Sequence, residues 1–104
     1  MSECLFCRII ARQSPADITY EDDAVLAFKD IYPKAPVHHL IVPKRHIASL
    51  LTLEESDNAL LLELLSVVRE VAKEVLAEHG ACRVLTNLGK YQDSKHLHWH
   101  VSAG

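Results

Sequence analysis

Glycine is scarce in this 104-residue chain, at three residues, and so are proline, at four, and aromatic residues, at 6%. Collagen-like repeats and Pro/Gly-rich disordered segments need far more of the first two, so both are excluded. No sign of charge dominates either: 11 Lys+Arg stand against 14 Asp+Glu, for a net charge of −3. There is accordingly no basic stripe for a nucleic-acid backbone and no polybasic tract for an anionic membrane surface. No apolar run approaches the roughly 18 residues of a membrane span. The start, Met1-Ser2-Glu3-Cys4, lacks the basic n-region of a signal peptide, which makes the cytoplasm the expected compartment. Three cysteines, an odd number, do not close a disulfide framework.

What is present is an ordinary globular composition, 49% hydrophobic and 24% charged, with no repeat and no linker, so residues 1–104 read as one domain. A core of this size is small, and a metal or a partner subunit would reinforce it. Leu5, Phe6, Ile9 and Ile10 have helical spacing within residues 4–12, and Pro15 bars continuation. Residues 18–20 and 25–29 are β-prone runs around the acidic turn Glu21-Asp22-Asp23 and predict a hairpin. A loop fixed by Pro33 and Pro36 leads to a third strand over residues 39–42. Thr52 is the expected cap of a long helix, with Glu55 completing a capping box and Gly80 closing the C-terminus. Its buried stripe is expected at Leu61, Leu64, Leu65, Val68, Val71, Ala72 and Val75. Residues 83–86 and 97–102 complete a five-stranded, mostly antiparallel α+β arrangement.

Seven histidines are present, and three of them fall in the last nine residues as His96-Leu97-His98-Trp99-His100. On a strand these imidazoles share one face, about 6.6 Å apart, while Leu97, Trp99 and Val101 face a helix. Neighbouring imidazoles at that spacing can address a phosphate and its leaving group together. A neutral imidazole can attack phosphorus, and a second can assist the departing group. A zinc site through His96 and His98 is the rival reading, and three surface histidines the plain one.

Cys4 and Cys7 stand three apart on the first helical segment, which places both thiols on one face. Such a pair suggests a metal or a redox centre, or two small packed residues. His46 and one of the three C-terminal histidines are available to complete a tetrahedral set. Cys82 reads as a core thiol.

These segments together resemble the histidine-triad (HIT) superfamily, in its nucleotide-binding Hint-like branch. The resemblance spans Cys4-Leu-Phe-Cys-Arg-Ile-Ile, Tyr20-Glu-Asp-Asp-Ala-Val-Leu-Ala-Phe-Lys-Asp, Ala35-Pro-Val-His-His-Leu-Ile-Val-Pro-Lys-Arg-His, Thr86-Asn-Leu-Gly and His96-Leu-His-Trp-His-Val. It implies an α+β homodimer whose sheet continues across the interface and which hydrolyses or transfers nucleoside monophosphates. By the resemblance His98 is the nucleophile that becomes transiently nucleotidylated, His100 contacts the phosphate and helps the leaving group, and His38 buttresses the site. Asn87 hydrogen-bonds the phosphate or the backbone of the site. Leu5, Phe6, Ile9, Phe28, Asp30 and Ile31 form the pocket for a purine base and its ribose. A structural zinc, present in some relatives, matches Cys4, Cys7, His46 and His96.

One segment departs from the common pattern. Many relatives carry a longer Gly-Gly-Gln-Ser-like phosphate loop, whereas Leu88-Gly-Lys-Tyr-Gln-Asp-Ser-Lys95 is shorter and has one glycine. Gln92 and Ser94 remain as phosphate donors, with Lys90 or Lys95 adding charge, although Ser94 sits one position nearer the triad than the usual serine. The chain stops at Gly104, so the tail that would reach a partner's site is expected to be minimal. The sequence thus points to a nucleoside phosphoramidase-type hydrolase or nucleotidyltransferase acting on purine nucleotides carrying AMP or GMP. A nucleotide-binding regulatory protein with little turnover is the alternative from another class. An open zinc hydrolase using His96, His98 and His100 directly is a third.

Overall fold

The computed structural model describes residues 4–104, and the acidic start read above at residues 1–3 lies outside them. Five strands form one sheet: β1 (Ile18–Glu21), β2 (Val25–Lys29), β3 (Val37–Pro43), β4 (Arg83–Leu85) and β5 (Trp99–Ala103). Their order across the sheet is β1-β2-β3-β5-β4, and every neighbouring pair is antiparallel. The expected α+β class and hairpin are therefore found. The turn between β1 and β2 is tied by Asp22, whose Oδ1 accepts from the backbone amides of Ala24 and Val25, each at 2.8 Å.

Alternation divides the sheet cleanly. Val25, Ala27, Ile41, Trp99, Val101 and Ala103 pack beneath the long helix α2 (Asn58–His79) through its buried Leu64, Val67, Val68, Val71 and Val75. Val67 is an addition to the predicted stripe, whereas Leu61, Leu65 and Ala72 are only partly buried at its margin. On the other face Leu26, Phe28, Leu40 and Val42 pack against Phe6 and Ile9 of the short helix α1 (Leu5–Ile10). The register pairs Leu40 with His100 and His38 with Ser102, so His38 and His100 share this α1 face as diagonal neighbours.

Four expectations at element ends are corrected. Cys4 caps α1 rather than belonging to it, because its thiol accepts from the Cys7 amide at 3.4 Å. Arg12, with a left-handed φ of 63°, ends the turn before Pro15 is reached. Thr52 does not cap the long helix: Ser49 caps a 3-10 turn at Leu50–Thr52, and Thr52 is its capping-box partner. A second 3-10 turn, Glu55–Asp57, then delivers the chain into α2, whose end at Gly80 has the expected left-handed φ of 76°. The last strand starts at Trp99, so His96, Leu97 and His98 form an extended lead-in. There the Leu97 amide donates to the Ile47 carbonyl at 2.6 Å. Among the described residues no helix is long and apolar enough to cross a membrane.

Candidate active site

The lead-in to β5 carries two sites end to end. At its start His96 is wholly buried, and its Nε2 lies 2.8 Å from the Pro43 carbonyl. A carbonyl only accepts, so Nε2 carries the hydrogen and Nδ1 presents a lone pair. That Nδ1 faces Cys4 Sγ at 3.3 Å and Cys7 Sγ at 3.5 Å, while Cys7 Sγ lies 3.2 Å from His46 Nδ1. One donor atom from each of Cys4, Cys7, His46 and His96 falls within 4.8 Å of every other. Two thiols and two imidazoles are the donor set of a closed tetrahedral metal site, and the Pro43 carbonyl orients one imidazole as such sites require. Burial presses the His96 pKa down to about 4, which keeps the ring neutral as a ligand must be.

Two residues on, the ring of His98 turns the other way. Its Nδ1 lies 2.7 Å from the carbonyl of His96, so Nδ1 donates and Nε2 is left as a bare lone pair. The edge of Phe6 stands against the ring, with centroids 4.9 Å apart. Thr86 Oγ1 donates to the His98 carbonyl at 2.8 Å and fixes the backbone from the side of β4. His98 is buried, and that burial lowers its pKa against the opposing pull of its bond to His96.

His100, His38 and Lys34 form a directed run. The Lys34 amide donates to His38 Nδ1 at 3.1 Å, which makes that nitrogen an acceptor. The hydrogen of His38 therefore sits on Nε2 and points at His100 Nδ1, 2.8 Å away. His100 in turn carries its hydrogen on Nε2, which lies 3.5 Å from Asn87 Nδ2; both groups are donors, so they do not bond each other and are left to donate to a shared acceptor. Burial, then the charges of His98 and His38, push the His100 pKa down to about 4, with Asp30 opposing. Asp30 Oδ2 lies 3.5 Å from His38 Nδ1, and Oδ1 accepts from the Tyr32 amide at 3.0 Å.

The structure thus brings together His38, His98, His100, Asn87 and Asp30. The other predicted residues are placed less uniformly. Phe6, Ile9 and Phe28 lie in the closed core under α1, at 5% exposure or less, whereas Leu5 is half-buried at its rim and Ile31 is exposed. Gln92 is buried, and its amide donates to the Ala48 carbonyl at 2.7 Å, so that group braces a loop. Ser94 is half-buried in the segment before His96. A cavity of about 380 Å³ beside α2 touches Asp30 and His38, but neither His98 nor His100 lines it. His96, His98 and His100 do not converge on one point. Among the described residues the metal-competent groups are the Cys/His set above and Asp30–His38–His100. Lys34 and Thr86 were not foreseen, since each acts through a contact between segments distant in sequence.

Comparison with known proteins finds relatives over essentially the whole chain. The family model for the C-terminal binding region of the scavenger mRNA decapping enzyme matches residues 3–103. An uncharacterized HIT-like protein of Synechococcus elongatus is 45% identical over 106 residues, covering 100% of this chain and 93% of its own length. A HIT family hydrolase from Clostridium thermocellum superposes with a TM-score of 0.89 at 42% identity, covering 100% of this chain and 92% of the other. A histidine triad protein from Clostridium difficile superposes at 0.87 with 38% identity, over 100% and 92% of the two chains.

Proposed function

Because the chain belongs to the histidine-triad superfamily, we propose that it is a hydrolase or transferase of nucleoside monophosphates. Its substrates would carry the nucleotide on a phosphoramidate or similar NMP–X linkage. The observation that carries this reading is the His98 tautomer: Nδ1 is committed to the His96 carbonyl, and Nε2 is bare. Nε2 attacks the α-phosphorus, forming the P–N bond as the P–X bond breaks, and the departing amine takes a proton from water. Nδ1 keeps its hydrogen throughout, so the positive charge on the nucleotidylated ring rests against a carbonyl oxygen. His100, its tautomer fixed by His38, offers Nε2–H to a phosphate oxygen where charge builds up. Water then attacks phosphorus, releases the monophosphate and restores His98.

The purine is read as lying on Leu5 and Ile31, with Phe6, Ile9 and Phe28 as the floor beneath, and the ribose hydroxyls as meeting the Asp30 carboxylate. Zinc is the metal that best suits Cys4, Cys7, His46 and His96, and there it would act structurally by holding the start of the histidine segment. A homodimer is supported by the exposed edge strand β4, where Val84 is 47% and Leu85 39% exposed.

A second reading, nucleotide binding with little turnover, is favoured by one observation: the loop before His96 spends its Gln92 amide on Ala48. The experiment that separates the two follows AMP release from adenosine 5′-phosphoramidate by the wild type and by His98→Ala, with AMP binding measured on both. Turnover by the wild type alone, with binding kept in the variant, supports catalysis. Binding without turnover in both supports the second reading.

A further inference from the structure

We propose that Lys34 is the phosphate-anchoring cation of the nucleotide site, and that Asp93 occupies it until a bound phosphate takes Asp93's place. This inference rests on the nucleotide reading above. Lys34 lies in the loop that leads into β3, and Asp93 in the segment that leads into the histidine row. Their side chains join across these two loops, Nζ to Oδ2 at 2.9 Å. The backbone of the same Lys34 sets the His38 tautomer and, through it, that of His100. One residue therefore combines a fixed amide directed at the site with a mobile ammonium at its rim.

The Lys34 amide, 3.1 Å from His38 Nδ1, sets this loop against the histidine cluster, and the charges of the pair are felt there. The charge of Lys34 helps to lower the His100 pKa. The Asp93 carboxyl is held below its ordinary range by Lys34 first and then by His100 and His98. An acidic side chain at the mouth of a phosphate site repels its ligand unless a cation neutralises it, and Lys34 supplies that cation.

The partnership is built to exchange. Both side chains are about as exposed as on an open surface, 70% for Lys34 and 68% for Asp93, and exposed pairs of this kind hold weakly. The cations that the sequence offered from the loop itself are otherwise engaged. Lys95 donates to the carbonyls of Gly89 and Gln92, at 2.8 and 3.1 Å, and Lys90 lies over the Tyr91 ring. A phosphate held by His98 and His100 presents more negative charge than one carboxylate, and the flexible lysine stem lets the ammonium follow it.

The test is isothermal titration of AMP and of adenosine into the wild type, Lys34→Met and Asp93→Asn. Methionine keeps the backbone N–H that serves His38, so the tautomer run survives the substitution. Lys34→Met should weaken AMP about tenfold and leave adenosine unchanged, while Asp93→Asn should tighten AMP by about threefold, as expected for one charge-assisted contact. Three results overturn the exchange: unchanged AMP affinity in Lys34→Met, equal weakening of AMP and adenosine, or weakening of AMP in Asp93→Asn. The last would make the pair a latch that holds the loop. Failure of the wild type to bind AMP at all overturns the nucleotide reading itself, and the exchange with it.

Discussion

His96 gives its backbone carbonyl to His98 Nδ1 at 2.7 Å while its own ring faces the two thiols. The residue that completes the Cys/His set thus also decides which nitrogen of the next histidine is bare. The proposed metal site and the proposed nucleophile are joined by a single peptide unit, and mutation can separate them.

Cys4→Ala removes a thiol from the metal set and the side-chain cap of α1 together. We expect it to lower the melting temperature by on the order of 10 °C, since structural metal binding and caps contribute directly to folding. A strong chelator should lower the wild type similarly and the variant hardly at all. Elemental analysis checks the cause: one zinc per wild-type chain and well below one in Cys4→Ala. Equal metal content in both would contradict the assignment.

His38→Ala breaks the hydrogen-bonded run from the Lys34 amide to His100 without touching His98. Turnover should fall about ten- to a hundredfold through kcat, the range of a positioned acid–base partner, with KM nearly unchanged. His38→Gln, which keeps a donor and an acceptor, should recover part of the loss. A change confined to KM would place His38 in binding instead.

The histidine row should stay neutral well below the ordinary imidazole value. With His100 at about 4 when folded and near 6.5 when unfolded, the unfolded chain binds more protons between those values. Stability from this group is therefore present above about pH 6.5 and is lost as pH falls toward 4. The acid limb of kcat/KM should likewise lie below the ordinary imidazole value, because burial lowers the His98 pKa too. Urea unfolding and initial rates measured from pH 4.5 to 7.5 check both; an activity midpoint at 6.5 would contradict the burial argument.

Gly80 ends α2 in the left-handed region, and a Cβ there would meet no atom within 4 Å. Gly80→Ala should therefore cost only backbone strain, about 1 kcal/mol, and leave nucleotide binding intact. Thermal unfolding beside AMP titration measures both.

Much of the fold was legible because β-prone runs flank the acidic turn at residues 21–23 and because period-two alternation around His98 separates the histidines from the apolar row that faces α2. The cap of the long helix was not: Thr52 and Glu55 satisfy the capping pattern, but Ser49 claims Thr52, and Asp57 turns its carboxylate to the Glu54 amide at 2.9 Å. Cys4, Cys7, His38, His46, His96, His98 and His100 could be picked out from spacing and family pattern together. The contact of the Gln92 amide was not legible, because it reaches the Ala48 carbonyl, a partner that no local pattern encodes. The same holds for Thr86 on the His98 carbonyl and the Lys34 amide on His38, contacts that exist only once β3, β4 and β5 lie side by side.

The central claim is that His98 Nε2 forms a bond to phosphorus. Intact-protein mass spectrometry within seconds of mixing with adenosine 5′-phosphoramidate tests it most directly. The account predicts one adenylyl adduct on the wild type, decaying as AMP appears, acid-labile as a phosphorus–nitrogen bond to histidine should be, and absent from His98→Ala. AMP release by His98→Ala at the wild-type rate, with no adduct on either protein, would contradict it.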